Sequence, residues 1–159
     1  MPVENLTEIL RQHPFLADLP DQHMETLVGC ASNVRFADGE YLIHEGQVAD
    51  KFFLIRTGRV ALEIDLSERG ALRIQTVGPG DVLGWSWLIS PYTWHFGGCA
   101  VSDVRALALD GKCLRNKCET NHDFGYEMLK RLSQVMEKRL AATRVQLLDL
   151  YGTAKEVGP

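Results

Sequence analysis

Between Val34 and Leu109 the chain is cut into short apolar runs by glycines at positions 39, 46, 58, 70, 78, 80, 84, 97 and 98. This punctuation constrains the fold more than any other feature. Tyr41-Leu42-Ile43, Phe52-Phe53-Leu54-Ile55, Val60-Ala61-Leu62-Glu63-Ile64 and Ala106-Leu107-Ala108-Leu109 are of strand length, and the glycines between them allow tight reversals. Leu62, Ile64 and Leu66 alternate with Glu63 and Asp65, the pattern of a strand with one buried face. Many short strands joined in this way predict a sandwich or a barrel.

The flanks follow a different period. Leu6, Ile9, Leu10, Phe15, Leu16, Leu19, Met24, Leu27 and Val28 recur at helical spacing, and Pro14 and Pro20 break the series into two or three short helices. Asp21 is placed to cap the helix that carries Met24 and Leu27. From Asp123 to Tyr151 proline is absent and helix formers dominate. Leu129, Leu132, Met136, Leu140, Thr143, Leu147 and Leu150 form a stripe along that stretch, with one extra four-residue step. A domain this small cannot cover so long a stripe, so its distal half is expected to pair with a second copy in a homodimer. A helix folded back on its own barrel is the alternative. The division expected is 1–122 for the barrel and its N-terminal helices, 123–151 for the dimerisation helix, and 152–159 for a tail that starts at a helix-stopping Gly152.

Composition excludes several function classes. The 159 residues carry a net charge of −4, which argues against binding nucleic acid through a broadly basic surface. No run reaches the roughly 20 apolar residues of a membrane helix, and the polar start MPVENLTEILRQHPF does not read as a secretory signal. Cys30, Cys99, Cys113 and Cys118 are too scattered for a disulfide scaffold, so reduced thiols in a cytoplasmic protein are expected. The histidines at 13, 23, 44, 95 and 122 lack metal-ligand spacing, and no metal or other cofactor is expected. No nucleophile elbow, Walker loop or dinucleotide fingerprint is present, so no catalytic residue is proposed. Glu40, Glu45, Asp50, Arg56, Arg59 and Arg73 read as surface charges, and Asp81 as a turn cap.

The ordered set Phe36-Ala-Asp-Gly39-Glu-Tyr-Leu42-Ile-His-Glu-Gly46, then Asp50, Phe53, Ile55, Gly58 and Val60, then Val77-Gly-Pro-Gly80-Asp81-Val-Leu83-Gly84, carries a family spacing. It resembles the cyclic-nucleotide-binding domain of the catabolite-activator and Fnr-type regulators, over roughly Leu16 to Tyr151. The resemblance implies a mainly β fold: an eight-stranded antiparallel jelly roll (a double-stranded β-helix) with flanking helices. It also implies a short phosphate-binding helix among the later strands and a long C-terminal dimerisation helix.

Two departures shape the functional expectation. The family's glutamate after Gly84, which accepts from the ribose hydroxyl, is here Trp85. The arginine that meets the cyclic phosphate aligns with Trp94, and no lysine or arginine occurs between Arg73 and Arg105. A phosphate left without its cation loses a charge-assisted bond worth about 1.5–3 kcal/mol. The cassette Leu83-Gly84-Trp85-Ser86-Trp87, with Trp94, His95 and Phe96, is therefore the candidate ligand site, but not one for cyclic AMP held in the usual way. Its rings either form a pocket for a more apolar or planar small molecule or fill the cavity themselves. His95 could replace part of the missing cation only when protonated. The chain ends eight residues after Tyr151, so no helix-turn-helix and no DNA binding are expected of it. The overall expectation is a stand-alone regulatory or sensor domain without enzymatic activity. Genuine cyclic-nucleotide binding and a purely structural or protein-interaction role remain the alternatives.

Overall fold

A computed structural model describes the backbone of residues 5–157 and the side chains of 5–151. Two short helices open the chain, α1 (Leu6–Gln12) and α2 (Asp21–Val28), with a 3-10 turn at Pro14–Leu16 between them. Eight strands follow: β1 (Ala31–Phe36), β2 (Tyr41–Ile43), β3 (Lys51–Thr57), β4 (Val60–Asp65), β5 (Ala71–Val77), β6 (Val82–Leu83), β7 (Gly97–Ala100) and β8 (Val104–Asp110). Two helices close it, α3 (Gly111–Thr120) and α4 (His122–Val157).

The strands form two antiparallel four-stranded sheets, ordered β1-β8-β3-β6 and β2-β7-β4-β5. This is the expected eight-stranded jelly roll. Alternation along the strands gives the first sheet two apolar faces. Phe53, Ile55, Ala106 and Ala108 point into the roll, where they meet Val60 and Leu62 of the second sheet. Phe52, Leu54, Leu107 and Leu109 point outward and are covered by α1, α2 and the start of α4 through Leu10, Leu27, Phe124 and Leu132. Burying each such side chain contributes roughly 1.5–3 kcal/mol. Gly58 shows why punctuation was needed: at φ +87°, a Cβ there would stand 2.1 Å from the Asp103 carbonyl oxygen.

Four expectations are corrected. Pro20, not Asp21, is the N-cap of α2, and the Asp21 carboxylate instead meets Arg11 at 2.6 Å. Glu63 is buried rather than solvated; it accepts from the Tyr41 hydroxyl at 2.8 Å and from Arg73 Nε at 3.2 Å. Cys30 and Cys113 form a disulfide, leaving Cys99 and Cys118 as the free thiols. Strand register explains the pairing. Ala31 lies opposite Leu109, and Asp110 N donates to the Cys30 carbonyl at 2.9 Å, so Cys113 in the first turn of α3 comes within a Cα separation of 5.7 Å. Finally, α4 runs through Gly152 to Val157. Glycine costs only about 1 kcal/mol in a helix interior, too little to stop a helix of this length. Residues 158–159 lie outside the described residues.

Candidate functional site

The segment from Gly84 to Phe96 joins β6 to β7 and holds all three tryptophans. Gly84 turns the chain at φ +91°, and Trp85–Trp87 then form a single 3-10 turn where the resemblance implied a short helix. The return half, Tyr92–Trp94, pairs with the loop before β3. Ala49 N donates to the Tyr92 carbonyl at 2.7 Å, Gly46 N to the Trp94 carbonyl at 2.8 Å, and Trp94 N to the Gln47 carbonyl at 2.9 Å.

The three indoles do not share one pocket. The 3-10 turn keeps Trp85 and Trp87 on the helix side of the sheet, and the return half carries Trp94 into the roll. Trp87 is fully buried in the helix-side core against Phe52, at a centroid distance of 5.7 Å. Trp94 is 5% exposed and fills the inside of the roll with Ile43, Ala49 and Phe53. Its ring lies on the Gly84 backbone so closely that a Cβ at 84 would stand 2.5 Å from it. Trp85 is half-buried, edge-on to Phe96 at 6.3 Å, and faces α4. Leu83 and Ser86 are buried, while His95 is exposed, so it is not placed to act as a buried cation.

Two arginines that the sequence reading left out hold this segment. Arg139 of α4 donates to the Val82 carbonyl and lays its guanidinium 4.5 Å from the centroid of Trp85. Burial pushes its pKa down to about 10, against the pull of Asp81. Its Nη1 is buried with no hydrogen-bond partner. Arg115 of α3 donates to the Trp87 carbonyl at 2.6 Å and covers the Tyr92 ring at 4.3 Å. Both positions stack a planar cation on an aromatic face, an interaction worth about 0.5–2 kcal/mol each. Arg115 is the one arginine of α3, and Arg139 is one of three on α4 with Arg131 and Arg144; nothing in their spacing aimed either at the cassette.

Asp81 closes the preceding turn by accepting from Gly78 N at 2.9 Å. His44 stacks on Tyr41 at 5.1 Å, a structural contact. Among the described residues no cluster of three His, Cys, Asp or Glu could hold a metal.

The stripe on α4 divides. Leu132 has no exposed surface and belongs to this chain's own core, and Met136 packs beside it. The core therefore takes part of the stripe read as an interface. Thr143 donates back to the Arg139 carbonyl at 2.9 Å within α4, whereas Gln146 donates to the Ile74 carbonyl at 2.7 Å and so ties the middle of α4 to β5. Leu129, Leu140, Leu147 and Leu150 are 49–70% exposed, as are Val145, Leu148 and Tyr151 beside them. No helix of the described residues is long and apolar enough to cross a membrane.

Comparison with known proteins agrees with this architecture. The cyclic nucleotide-binding domain profile matches residues 33–121. A cGMP-dependent protein kinase of Eimeria tenella is 33% identical over 66 residues, 42% of this chain and 6% of the kinase. The CRP-like cAMP-activated global transcriptional regulator of Mycobacterium tuberculosis is 22% identical over 148 residues, covering 93% of this chain and 64% of the regulator. The chain thus spans less than two thirds of the curated relatives it matches. Among solved structures, a candidate cyclic nucleotide-binding protein of Geobacter metallireducens superposes with a TM-score of 0.78 at 26% identity, covering 86% of this chain and 99% of that one.

Proposed function

Because this chain belongs to the cyclic nucleotide-binding domain family, we propose that it is a regulatory domain whose nucleotide cassette is closed from within. The observation that carries this reading is the clamp on Gly84–Phe96. Trp94 occupies the Gly84 backbone from inside the roll, and Arg139 and Arg115 hold Trp85, Trp87 and Tyr92 from α4 and α3. Trp85 offers no acceptor to a ribose hydroxyl, and Trp94 offers no cation to a phosphate. The contacts that order the cassette are supplied by the chain's own helices, and no ligand is needed to order it. On this reading the domain does not bind cyclic AMP or cyclic GMP in the usual way. It has no catalytic role, and its output is the position of α4.

The exposed apolar side chains Leu140, Leu147 and Leu150 support a second copy of the chain as the partner of that helix. Leu132 has no part in that contact.

One observation favours a second reading. Arg139 brings a buried guanidinium, with one nitrogen unpartnered, to the edge of the cassette. An anionic small molecule that displaced the Val82 carbonyl could use it as the missing cation. Titration calorimetry with cyclic AMP and cyclic GMP separates the two. Closure from within predicts no binding in the micromolar range. Micromolar binding that is lost in Arg139→Met would establish the second reading instead.

A further inference from the structure

Three arginines from neighbouring strands meet on the outer face of the first sheet, beyond the edge of its helical cover. Arg35 and Arg105 are directly opposed in the β1–β8 register. Arg56 sits at the irregular step of β3, where Ile55 faces Ala106 and Thr57 faces Arg105. Together with Asn33 and Val34 they line a surface groove of about 270 Å³. Opposed like charges on one face of a sheet repel and destabilise the pair.

Little within the chain offsets that repulsion. Arg35 reaches Asp103 at 3.7 Å, but both side chains are about two-thirds exposed, and such a pair contributes almost nothing. Among the described residues, Arg56 meets only the Asn33 amide oxygen, at 3.5 Å. Among the described residues neither Arg56 nor Arg105 has a carboxylate within ion-pair distance. A chain of net charge −4 has acidic residues to spare, yet this groove has gathered three guanidiniums and almost no counter-charge.

We propose that the Arg35–Arg56–Arg105 groove is a docking site for an acidic segment of a protein partner, whose clustered carboxylates take the three guanidiniums. Guanidinium forks match carboxylates in a planar, bidentate geometry. Strands about 4.8 Å apart place the three charges across about 10 Å, the span of two or three neighbouring acidic side chains. A long polyanion such as a nucleic acid fits less well, because the chain as a whole carries a net charge of −4 and would repel it beyond the groove. The groove lies outside the cassette, so this proposal does not depend on whether a nucleotide binds.

The test is fluorescence anisotropy with a labelled octaglutamate peptide, using the full chain at low salt. Saturable binding is expected. It should weaken at least about tenfold when Arg35→Gln and Arg105→Gln are combined, since two charge-assisted contacts are lost. It should also weaken with added salt, stay unchanged in Arg69→Gln on the exposed turn before β5, and strengthen in Asp103→Asn. Relief of the opposed charges predicts that Arg35→Gln and Arg105→Gln each keep or raise the melting temperature. Three results would overturn the proposal: binding equal in the double variant and the parent, a lowered melting temperature in the single variants, or tighter binding to a single-stranded oligonucleotide of the same charge.

Discussion

The contact between Arg139 and Trp85 can be measured by a double-mutant cycle built from Trp85→Leu and Arg139→Met. Both replacements keep apolar bulk, so packing is changed less than the cation–ring pair. The guanidinium sits 4.5 Å from the ring centroid and is largely withdrawn from water. A desolvated pair over tryptophan is worth about 2 kcal/mol and an exposed one about 0.5–1 kcal/mol, so the coupling expected here is about 1–2 kcal/mol. The single Arg139→Met variant carries a further loss, because the Val82 carbonyl gives up its donor at a cost of about 1–3 kcal/mol. Part of that is offset, since a buried guanidinium no longer has to be desolvated. Net destabilisation of the single variant is therefore smaller than the sum of its contacts, and the cycle is the cleaner readout. Urea denaturation of the four proteins supplies the numbers. A coupling within about 0.3 kcal/mol of zero would show that the two side chains are neighbours without mutual stabilisation, and the clamp would lose its α4 half.

Three other predictions follow from the same geometry. Gly84→Ala must push the Trp94 ring away from a Cβ 2.5 Å from it and hold alanine at φ +91°, so it should cost about 2–4 kcal/mol by thermal or chemical melting; adding Trp94→Leu should recover part of that loss. His13 is buried, with Nε2 on the Ile55 carbonyl at 3.0 Å and Nδ1 accepting from Phe15 N at 3.2 Å, and burial lowers its pKa from 6.5. As pH falls below 6.5 the unfolded chain takes up a proton that the folded chain resists. Stability should therefore drop on acidification, and the drop should be shallower in His13→Gln. Thiol titration in denaturant should find two reactive thiols without reductant and four with it, since Cys30–Cys113 is closed; in the native chain Cys118, its pKa pushed up to about 11 by burial, should react slowly at neutral pH.

The roll was legible in the sequence because its determinants are local. Gly39, Gly46, Gly58, Gly80 and Gly84 all adopt positive φ, and the apolar runs between them became strands within a residue or two of their expected limits. The cassette was legible as a segment but not as an arrangement. Trp85, Trp87 and Trp94 read as one aromatic cluster, whereas Trp87 enters the helix-side core, Trp85 lies at the edge of that core under Arg139 of α4, and Trp94 fills the roll interior. Arg115 and Arg139 were invisible as site residues, since they reach the cassette only through the packing of α3 and α4. The disulfide was hidden for the same reason: Cys30 and Cys113 lie 83 residues apart and meet only through the β1–β8 register. Glu63 kept the expected strand period but lies under Tyr41 and Arg73, and a two-residue alternation cannot foresee partners on β2 and β5.

Hydrogen exchange of the backbone amides from Gly84 to Phe96, measured with and without saturating cyclic AMP, addresses the internal clamp most directly. A cassette ordered by Trp94, Arg115 and Arg139 should exchange slowly in the free chain, with protection close to that of β7 and β8, and should not change when the nucleotide is added. Rapid exchange in the free chain that slows on addition of cyclic AMP would mean that a nucleotide, and not the protein's own helices, orders the segment.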